Sequence, residues 1–421
     1  MYCGEKALDS DYTKLVNLFK EKGYRCVVLL NTSFPPYPTG LKILRGGIES
    51  DVESTVEALG SNGFKVTIAA LHYIEKLDES TDSRVERIGI YRPYALEKSS
   101  FRKGLRLLTS ETFKPGVFFR LLSLLRKENC DVIILFGSLQ LSLAPYLASR
   151  ILRIPIYVRN DWICPARPYY EACGFSERVL GCGDCLEVNM GMELGGFAKL
   201  VIGVFSGLVG VVKSWLWRRA AGALPISEYH SNLFKGYGVP TDRLTVVHPS
   251  RRIRKSPIVD EPFTELLGSR QLKILYVGRL EKDKGIDLLL DAFKKAVRER
   301  DDMKLLVAGE GLLRDLVQEC ASRCPQVTYL GWLDVAGLSQ AYQVSDVVII
   351  PTIVPEGHGV VAEEAISYEK LIVGPLSGGL KELLETYPDS ISLDEVSVDS
   401  LYRTILSLAR GHVGKSDTPT G

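Results

Sequence analysis

Glu356 and Glu364 bracket the run Glu356-Gly357-His358-Gly359-Val360-Val361-Ala362-Glu363-Glu364, with seven residues between the two acids. Carboxylates spaced around a glycine-flanked turn can grip hydroxyl groups at the two ends of one elongated ligand. Eight helical steps would set them ~12 Å apart along an axis and ~80° apart around it. A helix is expected from Val360 to Tyr368, so the amides of Gly357, His358 and Gly359 lie at its N-terminus, where a positive dipole end and unpaired N–H groups suit a diphosphate. Glu363 is turned ~100° from Glu364 and should face elsewhere. His358 reads as an exposed loop histidine. The plain alternative for both glutamates is a solvated helix face with an acid near its start.

Arg279 and Lys284 form a second constellation. They follow the strand pattern Lys273 to Val277, where open α/β sheets place their ligands. Pre-placed cations stabilise charge that builds on a departing diphosphate, as oxyanion holes do for other leaving groups. Gly309 and Gly311 flank Glu310 after the next apolar run, and Gly46-Gly47 follows the first strand, where backbone without a Cβ can approach a ligand.

Short apolar runs position these groups. Strands are expected at Arg25 to Leu30, Lys65 to Ala70, Asp131 to Phe136 and Ile154 to Val158, with Ile48, Val52, Val56 and Leu59 marking the buried stripe of an intervening helix. The second half repeats the grammar: strand Lys273 to Val277, helix Gly285 to Arg298, strand Met303 to Ala308, helix Leu312 to Ser322. Strands at Val327 to Leu330, Val347 to Ile350 and Leu371 to Val373 follow. Alternation of this kind implies an α/β chain of two doubly wound parallel-sheet domains facing across a cleft. The Pro-, Arg- and Ser-rich stretch His248 to Gly268 is the expected linker. Val398 to Ala409 has helical spacing, and Gly411 to Gly421 is expected to be a disordered polar tail.

With 421 residues, two domains are the first expectation. A net charge of +1 gives no footprint for nucleic acid. Met1 to Ser10 lacks the apolar core of a secretory signal, and nine cysteines fit a reducing compartment, so a cytoplasmic protein is expected. No complete G-x-G-x-x-G follows the first strand, which argues against a nicotinamide enzyme.

Two further segments stand out. Cys164, Cys173, Cys182 and Cys185 are spaced C-x8-C-x8-C-x2-C, which fits either a tetrahedral structural zinc site or free thiols. Leu200 to Val212 carries no charge over thirteen residues and leads into Trp215-Leu216-Trp217-Arg218-Arg219. That is short for a spanning helix, which needs ~20 residues. It reads either as a helix packed into the first domain or as an interfacial helix that gives 195–219 contact with a membrane surface.

Taken in order, Gly46-Gly47, Ala223-Leu224-Pro225-Ile226-Ser227-Glu228, Gly278-Arg279-Leu280-Glu281-Lys282-Asp283-Lys284-Gly285, Ala308-Gly309-Glu310-Gly311, Tyr329-Leu330-Gly331, the paired-glutamate run and Gly378-Gly379-Leu380-Lys381-Glu382 resemble the group 1 (family 4) glycosyltransferases of the GT-B fold. The resemblance covers most of the chain. It implies an acceptor-binding domain at 1–250, with helix 398–412 packing back on it, and a nucleotide-sugar-binding domain at 251–397. It further implies metal-independent transfer of a sugar from a nucleoside diphosphate sugar, with retention, to a sugar, glycan or lipid-linked acceptor. Arg279 and Lys284 would bind the diphosphate, Glu364 the ribose and Glu356 the donor sugar. The backbone at Gly357, His358 and Gly359 would approach the sugar and phosphate, with Gly47 approaching from the other domain. Relatives often carry a histidine where this chain has Phe136 or Asn160; here Asn160 can donate a hydrogen bond and Asp161 can accept the acceptor's proton. A non-catalytic sugar-nucleotide-binding subunit and, lower, an epimerase or phosphorylase are the alternatives on the same fold.

Overall fold

The computed structural model describes residues 4–33, 47–73, 85–91, 115–136, 143–159, 195–249, 253 and 255–416. The chain divides into two compact units, Met1–Ser250 and Arg251–Gly421.

In the first unit, strands β1 (Cys26–Ser33), β2 (Lys65–Tyr73), β3 (Val85–Tyr91), β4 (Val132–Phe136), β5 (Ile156–Val158) and β6 (Gly222–Ala223) form one sheet in the order β3-β2-β1-β4-β5-β6. Every pairing is parallel. Successive side chains of a strand point to opposite faces. Accordingly, Val28, Leu30, Ile133 and Leu135 enter one apolar core, and Val27, Leu29, Val132 and Ile134 enter another on the far face. Burial on both faces is why these strands read as unbroken apolar runs.

The second unit repeats the plan with β7 (Leu272–Val277), β8 (Met303–Ala308), β9 (Val327–Gly331), β10 (Val347–Ile349), β11 (Leu371–Pro375) and β12 (Ser390–Leu393), ordered β12-β11-β10-β7-β8-β9 and all parallel. Here Ile274, Leu305, Val347 and Ile349 pack on one face, and Leu275, Leu306 and Val348 on the other. Both sheets thus have the Rossmann order. In each, the direction of chain progression reverses beside the first strand, between β1 and β4 and between β7 and β10, the place where such sheets bind ligands at their carboxyl edge.

Two expectations need correction. Helix Val398–Ser416 packs on the second unit: Leu401, Ile405, Leu406 and Ala409 share a core with Leu289, Leu290 and Phe293 of helix Ile286–Val297. It also runs past Gly411 into the stretch expected to be a polar tail, while 417–421 lie outside the described residues. The boundary between the units, after Ser250, falls inside the expected linker His248 to Gly268, whose later part is anchored: Ile253, Phe263 and Leu266 are buried in the second unit, and Gln340 Oε1 accepts the N–H groups of Val259 and Asp260 at 2.8 and 3.0 Å.

Candidate functional site

Four loops meet at the carboxyl edge of the second sheet. Gly285 is held at φ +65°, and a Cβ there would lie 2.0 Å from the Pro351 carbonyl oxygen, so the loop after β7 can press against the loop after β10 only with glycine at this position. Ile353 N–H reinforces the contact by donating to the Asp283 carbonyl at 2.9 Å. Gly309, at φ +142°, plays the same part beneath β7 and β8: a Cβ would come within 1.8 Å of the Gly278 carbonyl oxygen. Gly311 lies against Leu280, whose N–H donates to the Glu310 carbonyl at 2.9 Å. The loop after β11 closes the set, with Gly379 N–H donating to the Glu356 carbonyl at 2.7 Å and a parallel bridge between Glu356 and Gly378.

This interlock brings Lys284 to Glu356. Lys284 Nζ donates to Glu356 Oε1 at 2.7 Å, and the side chains are 20% and 23% exposed, so the pair is sheltered yet reachable. Burial alone would raise the Glu356 carboxyl, but the charge of Lys284, its hydrogen bond and the charge of Arg279 outweigh that and hold it below the ordinary carboxylate range. The guanidinium of Arg279 is bonded to Glu281 and, at 3.0 Å, to Asp283 Oδ2. Tyr276 fixes the backbone of the same turn, its hydroxyl donating to the Arg279 carbonyl at 2.7 Å.

Glu356 is not helical. Helix Val360–Ser367 begins after Gly359, which caps it at φ +97° without a side-chain hydrogen bond, so the ~12 Å helical separation of the two glutamates does not apply. What does apply is a helix N-terminus without a side-chain cap, three residues beyond Glu356, a setting whose positive dipole end suits an anion. Glu364 is buried at 1% exposure, and Tyr342 donates its hydroxyl to Glu364 Oε2 at 2.7 Å. His358 is the clear departure from expectation. It is buried at 5% exposure, with Nε2 3.3 Å from Glu363 Oε2. Glu363 does face away from Glu364, but into this pair, which ties the Gly357 to Gly359 turn to its own helix.

Sequence reasoning passed over Tyr276, Asp283 and Tyr342. Tyr276 sits among apolar strand neighbours and Tyr342 in an apolar helix, so neither spacing marked them. Asp283 lies inside the recognised Arg279 to Gly285 run, and its role emerges only from the contact with Arg279.

In the first unit, Gly47 opens the helix Gly47–Ser61, the next described element after β1. Four residues on, Asp51 is buried at 1% exposure and receives Arg159 Nε and Nη2 at 2.8 and 2.6 Å, with the Tyr12 hydroxyl donating to Oδ1 at 2.9 Å. Arg159 directly follows β5 and is fully buried. Gly46, Asn160, Asp161, Cys164, Cys173, Cys182 and Cys185 lie outside the described residues.

Two parallel sheets of Rossmann order, the second with a cation and carboxylate pair beside a helix N-terminus that has no side-chain cap, are the architecture of the two-domain GT-B class. The family model "Glycosyl transferases group 1" matches residues 271–410, and "Glycosyl transferase 4-like domain" matches residues 46–250. The chain belongs to the group 1 glycosyltransferases. An uncharacterised glycosyltransferase of Methanocaldococcus jannaschii is 34% identical over 30% of this chain and 33% of its own length. The lipopolysaccharide 1,2-N-acetylglucosaminetransferase of Salmonella typhimurium is 31% identical over 26% of this chain and 32% of its own. The aligned stretches therefore span about a third of these curated relatives. Among solved structures, Anabaena HepE, crystallised with UDP and glucose, covers 91% of this chain with 89% of its own at a TM-score of 0.60 and 16% identity, a likeness of fold.

Proposed function

We propose that the chain is a retaining, metal-independent glycosyltransferase that moves a sugar from a nucleoside diphosphate sugar to a hydroxyl of a sugar, glycan or lipid-linked acceptor, in glycan or cell-envelope polysaccharide synthesis. The observation that carries this is the Lys284–Glu356 pair at 2.7 Å beside the N-terminus of helix Val360–Ser367. The bond from the anomeric carbon to the phosphate oxygen breaks with its electrons passing to the diphosphate. Lys284, Arg279 and the helix amides meet that charge, taking the part a metal plays elsewhere. Glu356 holds the donor sugar's hydroxyls, and Glu364, oriented by Tyr342, the ribose. The acceptor oxygen bonds the anomeric carbon on the same face, and its proton passes to the departing phosphate oxygen or to Asp161. On this reading any zinc held by Cys164, Cys173, Cys182 and Cys185 is structural. Gly47 approaches the phosphate, Asn160 the acceptor, and the protein works in the cytoplasm. HepE was solved with UDP, which makes UDP a first choice of nucleotide to test.

A ligand that binds only the folded chain raises its apparent stability by ~2.7 kcal/mol at a concentration of ~100 Kd. Thermal unfolding with UDP, GDP and ADP, each at such excess, should therefore show a clear upward shift of several degrees with at least one. No shift with any of them, nor with their sugars, would count against the reading.

A further inference from the structure

The helix Gly196–Trp217 has no part in the site described above, and among its described side chains those packed into the first unit's core are at its C-terminal end. There Trp217 is 1% exposed, donates Nε1–H to the Tyr146 hydroxyl at 3.1 Å and stacks edgewise on Phe234 and Tyr237, with Leu216 against the same core. Upstream, Phe197, Leu200, Val204, Val211 and Trp215 are 81%, 45%, 53%, 67% and 46% exposed. At ~100° per residue these five fall within an arc of ~60°, and at ~1.5 Å rise they form a stripe ~27 Å long. Scattered apolar residues on a surface are ordinary, whereas five exposed ones aligned on one side of a single helix mark an interaction face.

Charge indicates what that face meets. From Gly195 to Arg219 there is no acidic residue, and the basic pair Arg218 and Arg219 follows the end of the stripe, in a chain whose net charge is only +1. Arg219 lies over the Trp215 ring at 4.0 Å from its centroid, a guanidinium and indole placed together at the end of the stripe. Trp beside Arg suits the headgroup level of a bilayer, where the ring sits at the apolar boundary and the cation meets lipid phosphate. No described helix is long and apolar enough to cross a membrane.

From this we infer that the helix Gly196–Trp217 docks the protein on an anionic phospholipid surface, lying in the interface with Phe197, Leu200, Val204, Val211 and Trp215 inserted and Arg218 and Arg219 on the headgroups. The buried Trp217 couples the helix rigidly to the first unit, so docking holds that unit at the membrane. This inference is independent of the sugar transfer and is tested without it.

Flotation of the full chain with vesicles of phosphatidylcholine containing phosphatidylglycerol, compared with phosphatidylcholine alone, reads it directly. Binding is expected to the anionic vesicles, to weaken at high salt, and to fall at least about tenfold in Val204→Asp/Val211→Asp and in Arg218→Glu/Arg219→Glu. The substituted side chains are exposed, so unfolding temperature and nucleotide binding should stay as in the parent chain. Three results would overturn the inference: equal flotation of parent and variants, retention of the parent on vesicles through an alkaline carbonate wash, which marks a spanning segment, or a lipid-indifferent dimer that Val204→Asp/Val211→Asp converts to monomer, which marks a second copy as the occupant.

Discussion

Replacing Lys284 by alanine is expected to lower turnover by roughly 10²–10³-fold, the effect of removing one pre-placed donor to a developing negative charge. The Lys284 side chain is only 20% exposed and already oriented, because the loop it ends is pinned by Gly285 against Pro351 and by Ile353 against Asp283. Loss of Lys284 also leaves the Glu356 carboxylate without its nearest cation, so its proton affinity should rise. The pH dependence carries the sign. In the parent chain Glu356 is held below the ordinary carboxylate range, so its ionised form and the ion pair persist from neutral pH down past the usual carboxylate pKa of about 4.3. Below that window the pair is lost as pH falls through the lowered value. The Lys284→Ala profile should break at higher pH than the parent's. Release of nucleoside diphosphate at saturating donor, followed across pH, measures both; Glu356→Ala should lose activity comparably while keeping its fold.

The largest effect on stability is expected from Asp51→Ala. Arg159 is fully buried and shares two hydrogen bonds with Asp51. Removing the carboxylate strands a guanidinium away from water, a change that costs about 3–5 kcal/mol in comparable sites. At about 2–4 °C per kcal/mol for a unit of this size, the unfolding temperature of the first unit should fall by roughly 6–20 °C. Tyr12→Phe removes only a hydroxyl that donates to the same carboxylate and should cost about 1 kcal/mol. Replacing both partners, as in Asp51→Leu/Arg159→Met, should recover much of the loss, because an apolar pair of similar volume carries no desolvation penalty. Calorimetric unfolding of the three variants separates the charge from the packing.

The strands that carry both sites were legible because each buries two faces, so residues such as Val132 to Leu135 and Ile274 to Leu275 appear as apolar runs. The strands not anticipated lack that signature. β3 contains Glu86 and Arg87 at the sheet edge, β6 is two residues long, and β12 alternates serine with apolar residues. Among the site residues, the Arg279 to Gly285 and Glu356 to Glu364 runs were legible through local spacing. Asp51 with Arg159 was not, since 108 residues separate them and only the β1–β4–β5 pairing brings them together. The same limit explains His358: a histidine between two glycines looks like an exposed tip, and only its folding back on Glu363 buries it. The packing of helix Val398–Ser416 on the second unit is hidden for a related reason, as its apolar spacing says that it packs but not against what.

The central claim is that the loops after β7 and β10 hold the diphosphate and sugar of an activated donor while a hydroxyl displaces the nucleotide. Turnover of the purified chain, with UDP-, GDP- and ADP-sugars and an acceptor set that includes lipid-linked sugars, followed by proton NMR of the new anomeric centre, tests it most directly. The account predicts one-to-one release of nucleoside diphosphate and a glycoside of retained configuration without added metal, with both lost in Lys284→Ala. Nucleotide binding with no glycoside from any acceptor, an inverted product, or undiminished turnover in both Lys284→Ala and Glu356→Ala would contradict it.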